Sequence, residues 1–500
     1  MNNLLRKKLS SRVLSTVLMF ALFGGTLSPG IPYWVFLFPL LVVFLYVSIS
    51  TPTLGLVFIA FAHSFSGFVR WKEQDATLLA GFGTILIVLF FVGLIARGLL
   101  GRPFRLPLED SDWLASKIIF SVWLLFLALI LLHVVATWKG GVATVMMFRE
   151  YILPLMLLPI AVSLLSSRPK DCRVVLIALF LGCVSVALIN IVHYVVDLPL
   201  NTPRWVTLFD GATGISTELP DIRIVFGTIP LPRMRHILGL SGAGAGGVYF
   251  ITIALMGFVL ARQTPIKKWR RLMYLGSLVV MIAAFLTLSF SPGVAFGFVS
   301  IYLYIASNKR KGIVRTSVAA VVMVFMLAVL LPGLGDSDSS TGGGEYIGKM
   351  WTQKVGPALA EFDKILLGDG LGLKSAGALG LADFNNDKYG LLTDQWLLVA
   401  LYQLGVLGLI LVIALFALPL LMTIRILGRR RGDEIGHLSI AAGTLVAGFV
   451  GFSHGAAPIE RLYSLPMMLA IAVIIVAAKG LARGPSTRLE VTPSKLTLQQ

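Results

Sequence analysis

The sequence predicts an all-α polytopic membrane protein, and three observations carry that expectation. Hydrophobic residues make up 57% of the 500-residue chain and charged residues 13%. Mean hydropathy is +0.88, outside the usual range for a soluble globular chain. The apolar residues fall in runs separated by short polar or basic connections. A helix needs roughly 20 apolar residues to cross about 30 Å of hydrocarbon, and unpaired backbone groups cannot face lipid.

About fourteen such runs can be read from the chain, and because several are short the expectation is 12 to 14 spans. They lie at about 12–28, 32–49, 52–67, 79–98, 115–136, 151–166 and 173–196, then 237–261, 272–290, 293–307, 315–332, 395–424, 437–454 and 463–480. The first run follows basic residues as a signal peptide would. No A-x-A-like cleavage site follows, so it reads as a helix.

Basic residues set the orientation. Alternate connections carry RKKLSSR (6–12), ARGLLGRPFR (96–105), SRPKDCR (167–173), RQTPIKKWRR (262–271), NKRKGIVR (308–315), RILGRRR (425–431) and KGLARGPSTR (479–488). The positive-inside rule makes that face cytoplasmic, with both termini inside. The net charge of +18 then reflects topology rather than a nucleic-acid surface. Residues 1–482 read as one integral membrane domain, and residues 483–500 as a polar, loosely ordered cytoplasmic tail. Cys172 reads as lying in a cytoplasmic loop and Cys183 inside a helix, with neither a disulfide framework nor a zinc site indicated.

Two external segments, about 197–236 and 333–394, are too long for turns and contain Trp, Phe and Ile, which argues for packing and an external site. The second holds an amphipathic stretch around Trp351 to Leu367, the glycine turn Gly368-Asp369-Gly370-Leu371-Gly372, and a helix headed by Asp394-Gln395. After that pair come nine residues and then Gly405-Val406-Leu407-Gly408. The first ends in Arg235-His236-Ile237-Leu238-Gly239-Leu240-Ser241-Gly242.

Together these motifs resemble the signature of the O-antigen polymerase and O-antigen ligase superfamily. In that family an LLGxGLG-type turn precedes a polar pair, nine residues and G-x-x-G, and an arginine motif leads from the earlier external loop into a helix. Helix number and loop placement are similar over the whole chain. Departures exist: Gly-Ala-Gly-Ala-Gly-Gly (242–247) replaces the family's frequent Pro-Asn, and Ser291-Pro292 stands where Ser-Arg is common. The resemblance implies a glycosyltransferase with a GT-C-like architecture, acting on undecaprenyl-diphosphate-linked oligosaccharide at the outer face of the inner membrane. It implies a multi-pass protein of the bacterial inner membrane with a chain-length regulator and a flippase as partners; no cofactor or metal is expected. Polymerisation of repeat units into surface polysaccharide is the leading reading, because ligases typically carry histidine where this chain has Asp394. The alternative is a ligase that delivers lipid-linked glycan to a lipid A-core or other acceptor.

A diphosphate donor needs cations, and arginine's planar fork suits phosphate oxygens. Arg235 leads the candidates, followed by Arg233, Arg223 and Arg149, with His236 beside them. Loop arginines also bind lipid headgroups or pair with acids such as Asp221 and Glu150. An attacking sugar hydroxyl needs a base or a positioned acceptor, and Asp394, next to Gln395, is the candidate. It also suits a plain N-cap for a helix beginning near Trp396. Gly368, Gly370 and Gly372 allow positive φ and converging N–H groups, for a sugar chain or simply a tight turn.

The remaining motifs are weaker. Neither the glycine turn nor the 242–247 stretch has a nucleotide-binding context, and close helix packing explains the latter better. Asp383 to Asp387 has the flavour of a calcium loop, but Lys388 occupies the position that needs glycine. His454 lies at a helix end near Glu460 and Arg461 and reads as structural or as a site residue; His133 and His193 lie near other helix ends. Trp205, Tyr346 and Trp351 suit sugar stacking or interfacial anchoring equally. A transporter is the competing class, but it would favour inverted repeats and ionisable residues in mid-helix, and charges here sit at helix ends and in loops.

Overall fold

The computed structural model describes residues 33–65, 82–101, 114–136, 152–197, 223–226, 229–232, 243–287, 291–307, 368, 396–429, 434–451 and 461–482. The expected spans 12–28 and 315–332 and the tail 483–500 lie outside the described residues.

The described residues form α-helices at nearly every predicted run. They are α1 (Tyr33–Ser50), α2 (Pro52–Ala62), α3 (Phe82–Leu99), α4 (Leu114–Ala136), α5 (Leu153–Ser167) and α6 (Asp171–Asp197). Then come α7 (Ala243–Arg262), α8 (Lys267–Leu286), α9 (Ser291–Ser307), α10 (Trp396–Arg429), α11 (Glu434–Gly451) and α12 (Arg461–Ala482). Four contain apolar stretches long enough to cross a membrane: Lys117–Val135, Asp171–Val192, Lys267–Leu286 and Leu404–Leu427. The other eight are shorter apolar helices, α2 running on through a 3₁₀ turn at His63–Phe65.

Two features depart from the sequence reading. Cys172 is not in a loop: α6 begins at Asp171, and Cys172 is buried in its first turn. The expected all-helical chain also contains a short antiparallel hairpin, β1 (Arg223–Phe226) with β2 (Ile229–Pro232), in the first long segment.

Packing centres on α7, which lies against α8, α9 and α11, while α12 packs against α11 and α5. The remaining close pairs include α1 with α3, α2 with α6, and α10 with α4 and α11. Every residue of α12 from Ser464 to Ala478 is buried, the pattern of a helix surrounded by protein. By contrast, α8 exposes Trp269, Leu272, Leu275, Leu278, Ile282 and Phe285 at helical spacing. That apolar stripe is the face expected to meet lipid.

Polar side chains inside the helices are handled in two ways. Ser48, Asn190, Thr264, Thr423, Ser439 and Thr444 each donate to the carbonyl four residues earlier, at 2.8 to 3.0 Å. Such back-bonding removes the cost of an orphan donor in hydrocarbon. Thr252, Ser277 and Tyr302 have buried hydroxyls without a conventional partner. Each instead faces a glycine of a neighbouring helix: Thr252 of α7 meets Gly448 of α11, Ser277 of α8 meets Gly257 of α7, and Tyr302 of α9 meets Gly443 of α11. Glycine lets the backbones approach and offers Cα–H groups to the oxygen. Leucine at any of these glycines would collide with the hydroxyl-bearing side chain.

Candidate functional site

Connections that the sequence assigns to one side of the membrane meet at one end of the bundle. Arg173, in the first turn of α6, contacts Glu434 at the start of α11 at 3.5 Å. It also donates to Thr264 Oγ1, between α7 and α8, at 3.0 Å. Gln263 Nε2 donates to the His437 carbonyl at 3.0 Å, and Arg97 of α3 donates to the Ile49 carbonyl of α1 at 2.9 Å. The connections 167–173 and 262–271 and the start of α11 thus lie together. This is the basic end.

A buried polar and aromatic cluster occupies the opposite half. The Ser64 hydroxyl, in the 3₁₀ turn after α2, lies 2.9 Å from the Tyr249 hydroxyl of α7, both groups buried. The His63 ring is 6.3 Å from the Tyr249 ring, and Tyr249 stacks on Phe449 of α11 at 6.1 Å and 18°. Three helix ends, those of α2, α7 and α11, thus share one tyrosine. Sequence reasoning missed Ser64, His63 and Tyr249. The available signal was the polar pair His63-Ser64 at the end of an apolar run. Outside this cluster, His133 of α4 is buried, with Nδ1 2.8 Å from the Leu129 carbonyl of its own helix.

The predicted site residues are only partly visible. Arg223 opens β1, and the register pairs it with Pro232, the residue before Arg233 in the chain. The hairpin therefore folds the segment so that Arg223 lies alongside the strand end that leads to Arg233. Proline at 230 and 232 removes ladder donors from β2, as an edge strand tolerates. Arg149, Arg233, Arg235, His236, Gly370, Gly372, Asp394, Gln395 and His454 lie outside the described residues.

Three motif glycines are described; Gly408 is helical, whereas Gly368 and Gly405 have the left-handed backbone that favours glycine. Gly368, the first glycine of the turn, has φ 75°. Gly405, the first of the G-x-x-G, has φ 70° and ψ −174° and interrupts α10. The helix begins at Trp396, where the Asp394-Gln395 pair predicts a start. Beyond Gly405 it resumes and runs to Arg429 past Pro419.

Among the described residues no group of three His, Cys, Asp or Glu is placed to hold a metal ion. The helices, their apolar lengths and their lipid-facing stripes define the class: a polytopic helical membrane protein. No protein-family model matches the chain, and no curated protein matches it either.

Proposed function

We propose that the chain is a membrane glycosyltransferase that polymerises undecaprenyl-diphosphate-linked repeat units into surface polysaccharide at the outer membrane face. The observation that carries this reading is the backbone at Gly368 and Gly405. In the motif L-L-G-D-G-L-G, then Asp394-Gln395, nine residues and G-x-x-G, Gly368 and Gly405 occupy conformations that a side chain would strain, while Gly408 is helical. Two of the motif's glycines thus answer a backbone requirement, which supports the reading. The hairpin that brings the backbone of Arg223 beside the strand end leading to Arg233 adds support, since a diphosphate calls for more than one cation nearby.

In the mechanism, Arg235 with Arg223, Arg233 and Arg149 holds the donor diphosphate and stabilises charge developing on the leaving group. The carbohydrate chain lies across the glycine turn. Asp394 accepts or orients the acceptor hydroxyl proton as its oxygen attacks the anomeric carbon. The carbon–oxygen bond to the carrier breaks, and the diphosphate leaves with its electron pair. A chain-length regulator and a flippase are the partners this reading implies, and a GT-C-like architecture is the fold it implies.

Arg235→Ala is expected to abolish elongation while the protein still reaches the membrane. Unchanged polysaccharide length on a gel would refute the assignment. Cells lacking the chain should accumulate carrier bearing a single repeat unit; accumulation of full-length carrier-linked polymer would mean a ligase. One observation bears on a second reading, transport: α10 is interrupted at Gly405, at the start of its apolar stretch Leu404–Leu427, and broken membrane helices commonly line a substrate path. Accumulation of neither intermediate would select it.

A further inference from the structure

At the basic end, α5, α6, α11 and α12 line a half-open pocket of about 90 Å³. Its wall is almost wholly apolar and includes Pro169, Ile435, Leu438, Val473 and Val476. Such a wall gains more contact from a hydrocarbon occupant than from water. The single charged group in the lining is Lys479, near the C-terminal end of α12.

Charge around the opening is strongly of one sign. Arg168 and Lys170 flank the lining residue Pro169 in the sequence, and both are exposed. Arg173 follows one turn into α6, and Lys267 and Lys268 begin α8 on the far side of Thr264. Against them, among the described residues of this end, stand two acids. Asp171 lies in the first turn of α6, where the helix dipole favours it, and Glu434 is already paired with Arg173. The adjacent start of α8 exposes Ile266 and Trp269, both 58% accessible, among its lysines and arginines. Exposed tryptophan interleaved with cations marks the level of lipid headgroups.

We propose that this cavity is a binding site for an anionic phospholipid of the leaflet on the basic side, expected to be the cytoplasmic one. One acyl chain enters between α6 and α12, and the headgroup phosphate is held by Lys479 with Arg168 and Lys170. A basic rim over an apolar slot between membrane helices is complementary to that amphiphile, and a zwitterionic lipid would lose the charge term. The site is on the face opposite the proposed glycosyl-transfer chemistry and does not depend on that reading. Its occupant would staple α5 and α6 to α11 and α12, contacts that are otherwise made largely by apolar side chains.

The test is native mass spectrometry of the detergent-purified full chain with added dioleoyl phosphatidylglycerol or dioleoyl phosphatidylcholine. Phosphatidylglycerol should be retained at least about fivefold better than phosphatidylcholine, a preference that falls as salt rises. Lys479→Gln, at a partly exposed helix end, should lower retention about fivefold by removing the charge nearest the cavity. Ala477→Phe should lower it by filling the slot, and an unshifted thermal midpoint of Lys479→Gln keeps the result readable if Ala477→Phe does not fold. Equal retention of the two lipids, retention unchanged by Lys479→Gln, or displacement of the lipid by glycerol phosphate alone would overturn the proposal.

Discussion

At the basic end, helices are joined by groups in contact with water: Glu434 is 67% exposed and meets Arg173 at 3.5 Å, and Gln263 reaches a backbone carbonyl of α11. In the opposite half, α2, α7 and α11 are joined by buried groups: the Ser64 and Tyr249 hydroxyls at 2.9 Å, a Tyr249–Phe449 stack, and Thr252 against Gly448. The first kind of link forms in high dielectric and is screened by ions. The second forms where no water can replace a lost partner, so shape and pairing decide it. Stability should therefore be concentrated away from the charged face, although the charges are the more conspicuous feature of the sequence.

The largest expected effect comes from breaking the buried half. Gly448→Leu forces a side chain into the space of Thr252 and should cost about 1–3 kcal/mol or more, read as a lowered thermal midpoint and loss of monodisperse protein in detergent. Tyr249→Phe keeps the ring stack on Phe449 and removes one hydroxyl. It should cost about 1 kcal/mol or less, with no dependence on salt. The smallest effect belongs to Glu434→Gln, about 0.2–1 kcal/mol at low ionic strength and vanishing in about 1 M salt. If Glu434→Gln proved as damaging as Tyr249→Phe at high salt, the contrast between the two halves would fail.

Helix positions were readable because length and apolarity are local quantities. The runs at 32–49, 115–136 and 463–480 correspond to α1, α4 and α12 within a few residues. The start of α6 was missed because Asp171-Cys172 looks polar enough for a loop. Pro169 just ahead and an acid in the first turn were the available start signals. The hairpin has a faint sequence signal in two short runs around Gly227-Thr228, weakened by Pro230 and Pro232.

The interruption at Gly405 was hidden by the continuous apolar run on either side of it. What could not be read at all is partnership. Ser64 and Tyr249 are 185 residues apart, and nothing in either neighbourhood names the other. The glycines opposite Thr252, Ser277 and Tyr302 are likewise meaningful only once helices are paired. Of the candidate site, the backbone demand at Gly368 followed from residue type, whereas that at Gly405 did not, and the pairing of Arg223 with the strand end before Arg233 required the register of the hairpin.

The short reach of α2 has a consequence for how the bundle meets its solvent. Its eleven residues and the three-residue turn after them rise about 22 Å, against about 30 Å of hydrocarbon. The helix starts beside Ser50 at the charged face, so the last carbonyls of its described residues fall short of that thickness. Acyl chains offer those oxygens nothing. The gap between this stub and its neighbours α6 and α7 must stay closed to lipid, and a bulky tyrosine with a hydroxyl at its tip is a plug suited to that task.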